Sequence, residues 1–533
     1  MNNVNIIGLE VTPLGGVGGD ILLESQTNLT GSCFFLTFKY SKGYDKHVII
    51  DFGLHQGLDY SAEFNDDLPF DIDTLTAAIV THAHVDHCGR IPLLYNSGFE
   101  KSTYFSSQES MELSFVQLED CAKLMLNEYE AKLHTFQKYR RICAEAGNIK
   151  KQRENAKSPR NGNRCNKPSV EELKKAEAKK ESILNMLDVD NIDAAAPIPP
   201  IYRQEDVEKA QSYSSILPKT IKDLPGVSFE VYSSGHILGA KSIMVSIKLE
   251  NGKTKRVVFS ADLGNYGRDF SPHGDPVTNP KMLINAMFCE TTYGGTLRDK
   301  NYYIDGIATF KKELEQEIAK GKTIIIPSFA MDRSQEILYH LKDIKGAAIY
   351  YDTKSGNLIL PIYQKYNTIY KNAKLNFTPI NCENRTEVYA HTGAKIIVVS
   401  SGMCNGGPVT DYLDHYLEDD EAVFMLTGYM SPNTIGGKLY NGSKIIYIKG
   451  EAKTVKSKIM SYGCFSSHGD EKSLLEWMSG WKTNSRTQIV LNHGDIEGST
   501  LALKHTIERK QKKGETTIQG TPVIAMLNRT IKI

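Results

Sequence analysis

Thr81-His82-Ala83-His84-Val85-Asp86-His87-Cys88-Gly89-Arg90 packs three imidazoles and a carboxylate between positions 82 and 87. The apolar run before it, Leu75-Thr76-Ala77-Ala78-Ile79-Val80, reads as a buried strand, and Cys88-Gly89 reads as a turn into a helix. The ligand-type side chains therefore stand on a loop at a strand's carboxyl end, where open α/β sheets keep their sites. Imidazole nitrogen and carboxylate oxygen suit zinc or a similar divalent ion, and the spacing holds too many ligands for one open catalytic site. A pair of metals is expected: His82 and His84 close on one ion, while Asp86 and His87, pointing the other way round the turn, hold its neighbour.

With 533 residues, the chain is too long for one ordinary core, so two or more domains are expected. Its 63 basic and 63 acidic residues balance, so overall charge predicts no partner. The nine cysteines are scattered and form no CxxC pair, which points to reduced thiols in a cytoplasmic protein rather than a disulfide framework or a zinc ribbon. No basic segment followed by an apolar core opens the chain, and no apolar run of about 18 residues occurs, so no membrane partner is expected.

Further segments repeat the pattern of a buried strand that ends on a chemically active residue. His47-Val48-Ile49-Ile50 leads to Asp51, Val227 to Ser234 leads to His236, and Arg256 to Ser260 leads to Asp262. Cys289-Glu290-Thr291-Thr292-Tyr293-Gly294 marks a boundary, and beyond it a new α/β pattern begins. It has a helix from about Tyr303 to Ala319, a strand Thr323 to Pro327 and a helix opened by Asp332-Arg333-Ser334. Further strands are expected at Ala347 to Tyr351, Ile396 to Ser400 and Ala422 to Leu426. Such alternation implies a small parallel sheet covered by helices. Gly463-Cys464-Phe465-Ser466-Ser467-His468-Gly469-Asp470 and Gln488-Ile489-Val490-Leu491-Asn492-His493 follow.

One stretch stands apart in composition. An amphipathic helix is expected from Ser107 to about Lys132, and from there to Lys180 the chain carries 15 Lys and Arg against five Glu. Ser158 to Asn163 breaks this stretch, and Ser169-Val170-Glu171-Glu172 opens a second helix with a capping signature. A helical hairpin results, and its basic charge could guide a phosphate backbone or simply be solvated.

Taken in order, the chemically active segments resemble the motifs of the metallo-β-lactamase superfamily. With the segments at Glu290, His468 and His493 they resemble its β-CASP branch, the nucleic-acid-processing nucleases that include ribonuclease J and the endonuclease of pre-mRNA 3′-end cleavage. The resemblance implies an α/β fold: a metallo-β-lactamase αββα sandwich built from residues 1–294 and 441–533. An α/β β-CASP cap at 295–440 and the basic helical insertion at 132–200 interrupt it. It also implies two Zn2+ per chain, one held by His82, His84, His236 and Asp262, the other by Asp86, His87, Asp262 and His493. Asp51 would orient ligands. His468 would be the general acid, with Glu290 holding its other ring nitrogen and Asp86 the third catalytic group.

In this family a His at the position of His493 goes with enzymes acting on RNA, whereas the DNA-repair branch tends to have Val. The expectation is therefore a ribonuclease that hydrolyses single-stranded RNA in the cleft between the domains, with Ser466, Ser467, Arg333 and Ser401 as phosphate contacts. Endonucleolytic cutting is expected, with 5′ to 3′ trimming as a further activity, because about 40 residues follow His493. Beside RNA, a processing-complex partner or a homodimer is an open option. The competing readings are a DNA nuclease of the same family, a small-molecule ester or thioester hydrolase, and a non-catalytic subunit of an RNA-processing complex. One segment departs from the family pattern: Tyr351-Asp352-Thr353-Lys354-Ser355-Gly356 replaces the usual DSP-type turn.

Overall fold

The computed structural model describes residues 5–18, 28–41, 43–55, 65–100, 103–155, 168–266 and 275–533. Two mixed sheets lie face to face. The first orders its strands Ile531–Lys532, Ile6–Gly18, Asn28–Tyr40, Lys46–Ile50, Leu75–Ile79, Thr103–Ser106 and Ser214–Ile216. The second runs Thr521–Ile524, Gln488–Asn492, Ala286–Glu290, Thr254–Phe259, Lys241–Lys248 and Val227–Ser233. Their facing side chains make one core, in which Phe34, Ile50 and Ile79 meet Phe229, Val245, Phe259, Phe288 and Val490. The alternate residues Val258, Met287 and Ile489 face outward and pack on Leu474 and Trp477 of helix Glu471–Ser479 and on Leu503 and Ile507 of helix Leu501–Lys513. Side chains of period two thus bury both faces of the second sheet, which explains its unbroken apolar runs.

The cap is a six-stranded sheet, parallel throughout, in the order Thr378–Pro379, Ala348–Asp352, Lys395–Val399, Thr323–Pro327, Ala422–Thr427 and Lys458–Tyr462. It extends past the expected boundary at residue 440, because Lys458–Tyr462 pairs with the edge that Ala422–Thr427 would otherwise leave open. A continuous apolar cluster ties the cap to the sandwich: Ala83, Leu113, Ile237 and Leu238 share it with Phe310, Ile337, Tyr351, Tyr363 and Phe465. Glu112 adds a polar tie, accepting from Lys365 Nζ at 2.8 Å and from Tyr366 OH at 2.5 Å.

Residues 119–208 form a compact unit of their own. The helix expected to end near Lys132 continues, spanning Gln108–Asn155. Phe136, Tyr139, Ile142 and Cys143, spaced for one helical face, pack on Ile183, Leu184 and Leu187 of the helix Val170–Leu187. The capping signature is realised in full: Ser169 Oγ accepts from Glu172 N–H at 3.0 Å, and the Glu172 carboxylate accepts from Ser169 N–H at 2.6 Å. The break expected at Ser158 to Asn163 lies outside the described residues. No helix among the described residues is long and apolar enough to cross a membrane.

Candidate metal centre

Three strand ends lift the site residues into place. Asp51 follows Lys46–Ile50, Ala261 and Asp262 follow Thr254–Phe259, and His493 follows Gln488–Asn492. Asp51, Ala261 and His493 have φ of 62°, 55° and 52°. Left-handed backbone is uncommon without glycine, and such strain gathers at functional sites. It turns each chain sharply so that the carboxylates and imidazole leave the sheet on one side. The 82–87 segment is not wholly a loop: Val85–Cys88 forms one helical turn, which swings Asp86 and His87 away from His82 and His84.

His82, His84, His236 and Asp262 each offer an atom within 4.8 Å of the others, as do Asp86, His87 and His493. In the first group His84 Nδ1 lies 3.2 Å from His82 Nε2 and 3.1 Å from His236 Nε2, and Asp262 Oδ2 stands 3.5 Å from both Nε2 atoms. In the second, His493 Nε2 lies 3.2 Å from His87 Nε2 and 3.3 Å from Asp86 Oδ2. Asp262 joins the groups, because its other oxygen stands 3.2 Å from His87 Nε2 and 3.5 Å from His493 Nδ1.

These spacings fit metal ligation. Donors about 2.0–2.1 Å from a tetrahedral zinc are about 3.3 Å from one another, and three ring nitrogens converging at that separation cannot all satisfy each other by hydrogen bonds. Asp262 Oδ1 and His236 Nδ1 are buried and accept or donate no hydrogen bond. Charge agrees in the first group. Burial, with the His87 charge beside it, pushes His82 down to about 4; burial and His82 push His84 down to about 3; burial and His468 hold His236 well below the usual value. These are neutral imidazoles, ready to donate a lone pair. The second group differs. Burial pulls His87 and His493 down, but the carboxylates outweigh it: Asp262 and Asp51 hold His87 well above its usual value, and Asp262 and Asp86 push His493 up to about 9. Burial likewise opposes the ionised forms of Asp86 and Asp262, and the histidines overcome it.

Asp51 supports the cluster from behind. Its carboxylate accepts from Thr81 N–H at 2.8 Å and Thr81 Oγ1 at 2.9 Å, and lies 2.8 Å from His87 Nδ1. Thr81 Oγ1 is also 3.0 Å from His82 Nδ1. On the far side His468 Nδ1 lies 3.2 Å from Glu290 Oε1, and its Nε2 faces Asp262 Oδ2 at 3.9 Å.

Three family models match successive parts of the chain: the metallo-beta-lactamase superfamily over residues 27–111, the Beta-Casp domain over 334–439 and the Zn-dependent metallo-hydrolase RNA specificity domain over 453–518. The chain belongs to the β-CASP family of the metallo-β-lactamase superfamily. Ribonuclease TTHA0252 of Thermus thermophilus is 25% identical over 510 residues, covering 90% of this chain and 95% of that protein. The transcription termination factor FttA of Methanosarcina mazei is 23% identical, covering 93% and 70%. The cleavage and polyadenylation specificity factor 73 of Drosophila melanogaster is 22% identical, covering 96% and 63%.

In this β-CASP protein the four expected phosphate contacts fall in different settings. Ser466 and Ser467 directly precede His468 and are buried, with Ser466 Oγ 3.3 Å from Tyr293 OH. Ser401 Oγ donates to the carbonyl of Asn405 at 2.9 Å, inside its own turn. Arg333 is 8% exposed and donates to the Thr427 carbonyl at 2.6 Å, which places it beneath a cap loop.

Sequence reading missed Thr81, Asn265 and Arg298. Asn265 Nδ2 and Arg298 Nη1 donate to the His468 carbonyl at 2.7 and 3.0 Å, and the Arg298 guanidinium lies 4.4 Å from the Tyr293 ring centroid. The only signal for them was proximity in sequence, three residues after Asp262 and eight after Glu290.

Proposed function

We propose that this chain is a dinuclear zinc ribonuclease that hydrolyses phosphodiester bonds of single-stranded RNA, cutting internally. The observation that carries the reading is Asp262, which turns one oxygen to each ligand cluster within reach of His468. Two bound metal ions would supply an activated water and neutralise charge on the phosphate oxygens. The chain's own residues then do the rest. Asp86 sits on the open side of the second cluster, its side chain 27% exposed, and orients the attacking water. His468 holds a proton at Nε2 for the leaving oxygen while its Nδ1–H is donated to Glu290. Glu290 is itself fixed, accepting from the backbone N–H of Leu263 and Thr292 at 2.8 Å each. Asn265 and Arg298, by holding the His468 carbonyl, keep the ring over the clusters.

RNA is favoured over DNA by the match to a metallo-hydrolase RNA specificity domain and by relatives named for RNA cleavage and polyadenylation. The test is incubation of zinc-loaded protein with end-labelled single-stranded RNA and the DNA of the same sequence, beside His468→Ala and a chelated sample. Internal RNA cuts lost in both controls are expected. A ladder growing only from the 5′ end would replace the endonuclease with an exonuclease, and cleavage of DNA alone would overturn the substrate.

A further inference from the structure

Arg298, between the strand Ala286–Glu290 and the helix Tyr302–Ala319, is held along one edge of its guanidinium. Nη1 donates to the His468 carbonyl at 3.0 Å, to Asn265 Oδ1 at 3.5 Å and to the Tyr303 hydroxyl. The backbone N–H of Arg298 donates to Asp470 Oδ2 at 3.1 Å, and Asp470 N–H in turn donates to Asn265 Oδ1 at 3.0 Å. The guanidinium carbon lies 4.4 Å from the ring centroid of Tyr293, 5.2 Å from that of Tyr302 and 5.6 Å from that of Tyr303. One edge and the aromatic contacts therefore fix the group in place.

The other edge is open. Nε and Nη2 donate to nothing among the described residues and are not buried, so solvent reaches them. The side chain is half-buried, yet no carboxylate among the described residues lies within ion-pair distance of it. A cation partly withdrawn from water and resting on aromatic rings is left for an anion to neutralise. The planar fork of arginine matches two phosphate oxygens, and a fork already fixed along one edge loses little freedom in taking them along the other. Tyr293 sets the place, because its ring centroid is 6.2 Å from that of His468 and 4.4 Å from the Arg298 guanidinium carbon. Arg298 grips His468 at its carbonyl, whereas the ring's Nε2 is turned to Asp262 and the ligand clusters. A phosphate on the open edge is thus a neighbour of the one that meets the clusters, not the same one.

We propose that the open edge of Arg298 binds a phosphate of the RNA strand close to the one that is cut. The proposal rests on the ribonuclease reading and adds a substrate contact to it. Arg298 then serves two partners, the His468 carbonyl through Nη1 and the strand through Nε and Nη2.

The test separates binding from cleavage. The cut site in a single-stranded RNA is first mapped with zinc-loaded wild type. Binding of that RNA, end-labelled, to zinc-loaded His468→Ala is then followed by fluorescence anisotropy, with Arg298, Arg298→Lys or Arg298→Met in that background. Each linkage around the cut is replaced in turn by a neutral methylphosphonate on a 2′-O-methyl ribose, with the matching phosphate as control. Arg298→Met is expected to raise Kd for the control RNA by about ten- to a hundred-fold, the scale of hydrogen bonds to a charged group, and Arg298→Lys by less. At one linkage the methylphosphonate should weaken the Arg298 protein to the level of Arg298→Met and cost that variant nothing more. Asn265→Ala, which removes the other donor to the His468 carbonyl, should leave this pattern unchanged. An unaltered Kd for Arg298→Met would overturn the proposal, as would losses that add at every linkage or a pattern that Asn265→Ala abolishes equally. Failure of the wild type to cut any RNA would instead remove the ribonuclease reading and the phosphate contact with it.

Discussion

His468 Nδ1 stands 3.2 Å from Glu290 Oε1, although 178 residues separate them in the chain. Glu290 ends a buried strand and is pinned by two backbone N–H groups, so it cannot turn away. The imidazole is aimed by a partner that is itself immobile.

His468→Ala should therefore lower the single-turnover rate of RNA cleavage by ~10²- to 10⁴-fold, while the metal bound per chain, read by elemental analysis, stays at the wild-type value. Glu290→Gln should cost less. If the two act as a unit, the double variant is no slower than His468→Ala.

Asp262→Ala should empty both clusters, because each oxygen serves one of them. The variant should bind no zinc tightly and gain no thermal stability from it, whereas wild type should melt higher with metal than after chelation. Retention of one tightly bound ion would contradict the bridging role. Asp51→Ala, which removes the partner of His87 Nδ1, should weaken zinc binding by about 10- to 100-fold in competition with a chromophoric chelator.

The two clusters should respond differently to pH. In the metal-free protein His493, pushed up to about 9, and His87, also raised, carry protons at pH 7, so a metal binding there must displace them and its affinity falls as pH drops below about 9. His82 and His84, pushed down to about 4 and about 3, are already neutral. Zinc titration at pH 7 in buffers of different ionisation enthalpy should show proton release, assigned to one of two binding steps. For the metal-free fold the signs are opposite. The contribution of His493 is fully present below its ordinary value of 6.5 and is lost as pH rises through about 9. That of His82 is present above 6.5 and is lost as pH falls through about 4.

In the cap, Arg385 Nε lies 2.7 Å from Asp352 Oδ2, with Tyr412 OH also donating to that oxygen at 2.9 Å, and both charged side chains are largely buried. Arg385→Ala leaves the carboxylate buried without its cation and should cost about 3 kcal/mol, seen as a lower urea midpoint. Adding Asp352→Asn should recover part of the loss, because the cost lies in the uncompensated charge. This pair also gives the departure at Tyr351-Asp352-Thr353 a structural purpose within the cap.

Much of the centre was legible in residues 82–87, because ligands one to five positions apart need only a turn or so of backbone to reach each other. The strand ends at Asp51, Asp262 and His493 were legible for a similar reason: apolar runs stop where the sheet meets solvent. Arg333 shows where such reading stops. Its cationic side chain at a helix start suggested a phosphate contact, yet it donates to the Thr427 carbonyl, 94 residues away, a pairing set by which strands are neighbours.

The sequence by itself determined the strands, most helix starts and the ligand types, since periodicity, caps and turns act over a few residues. Only the tertiary structure decided that His87 meets His493 across 406 positions and that Asp262 faces two clusters at once. Those contacts depend on the order and twist of two packed sheets, which no local stretch of chain encodes.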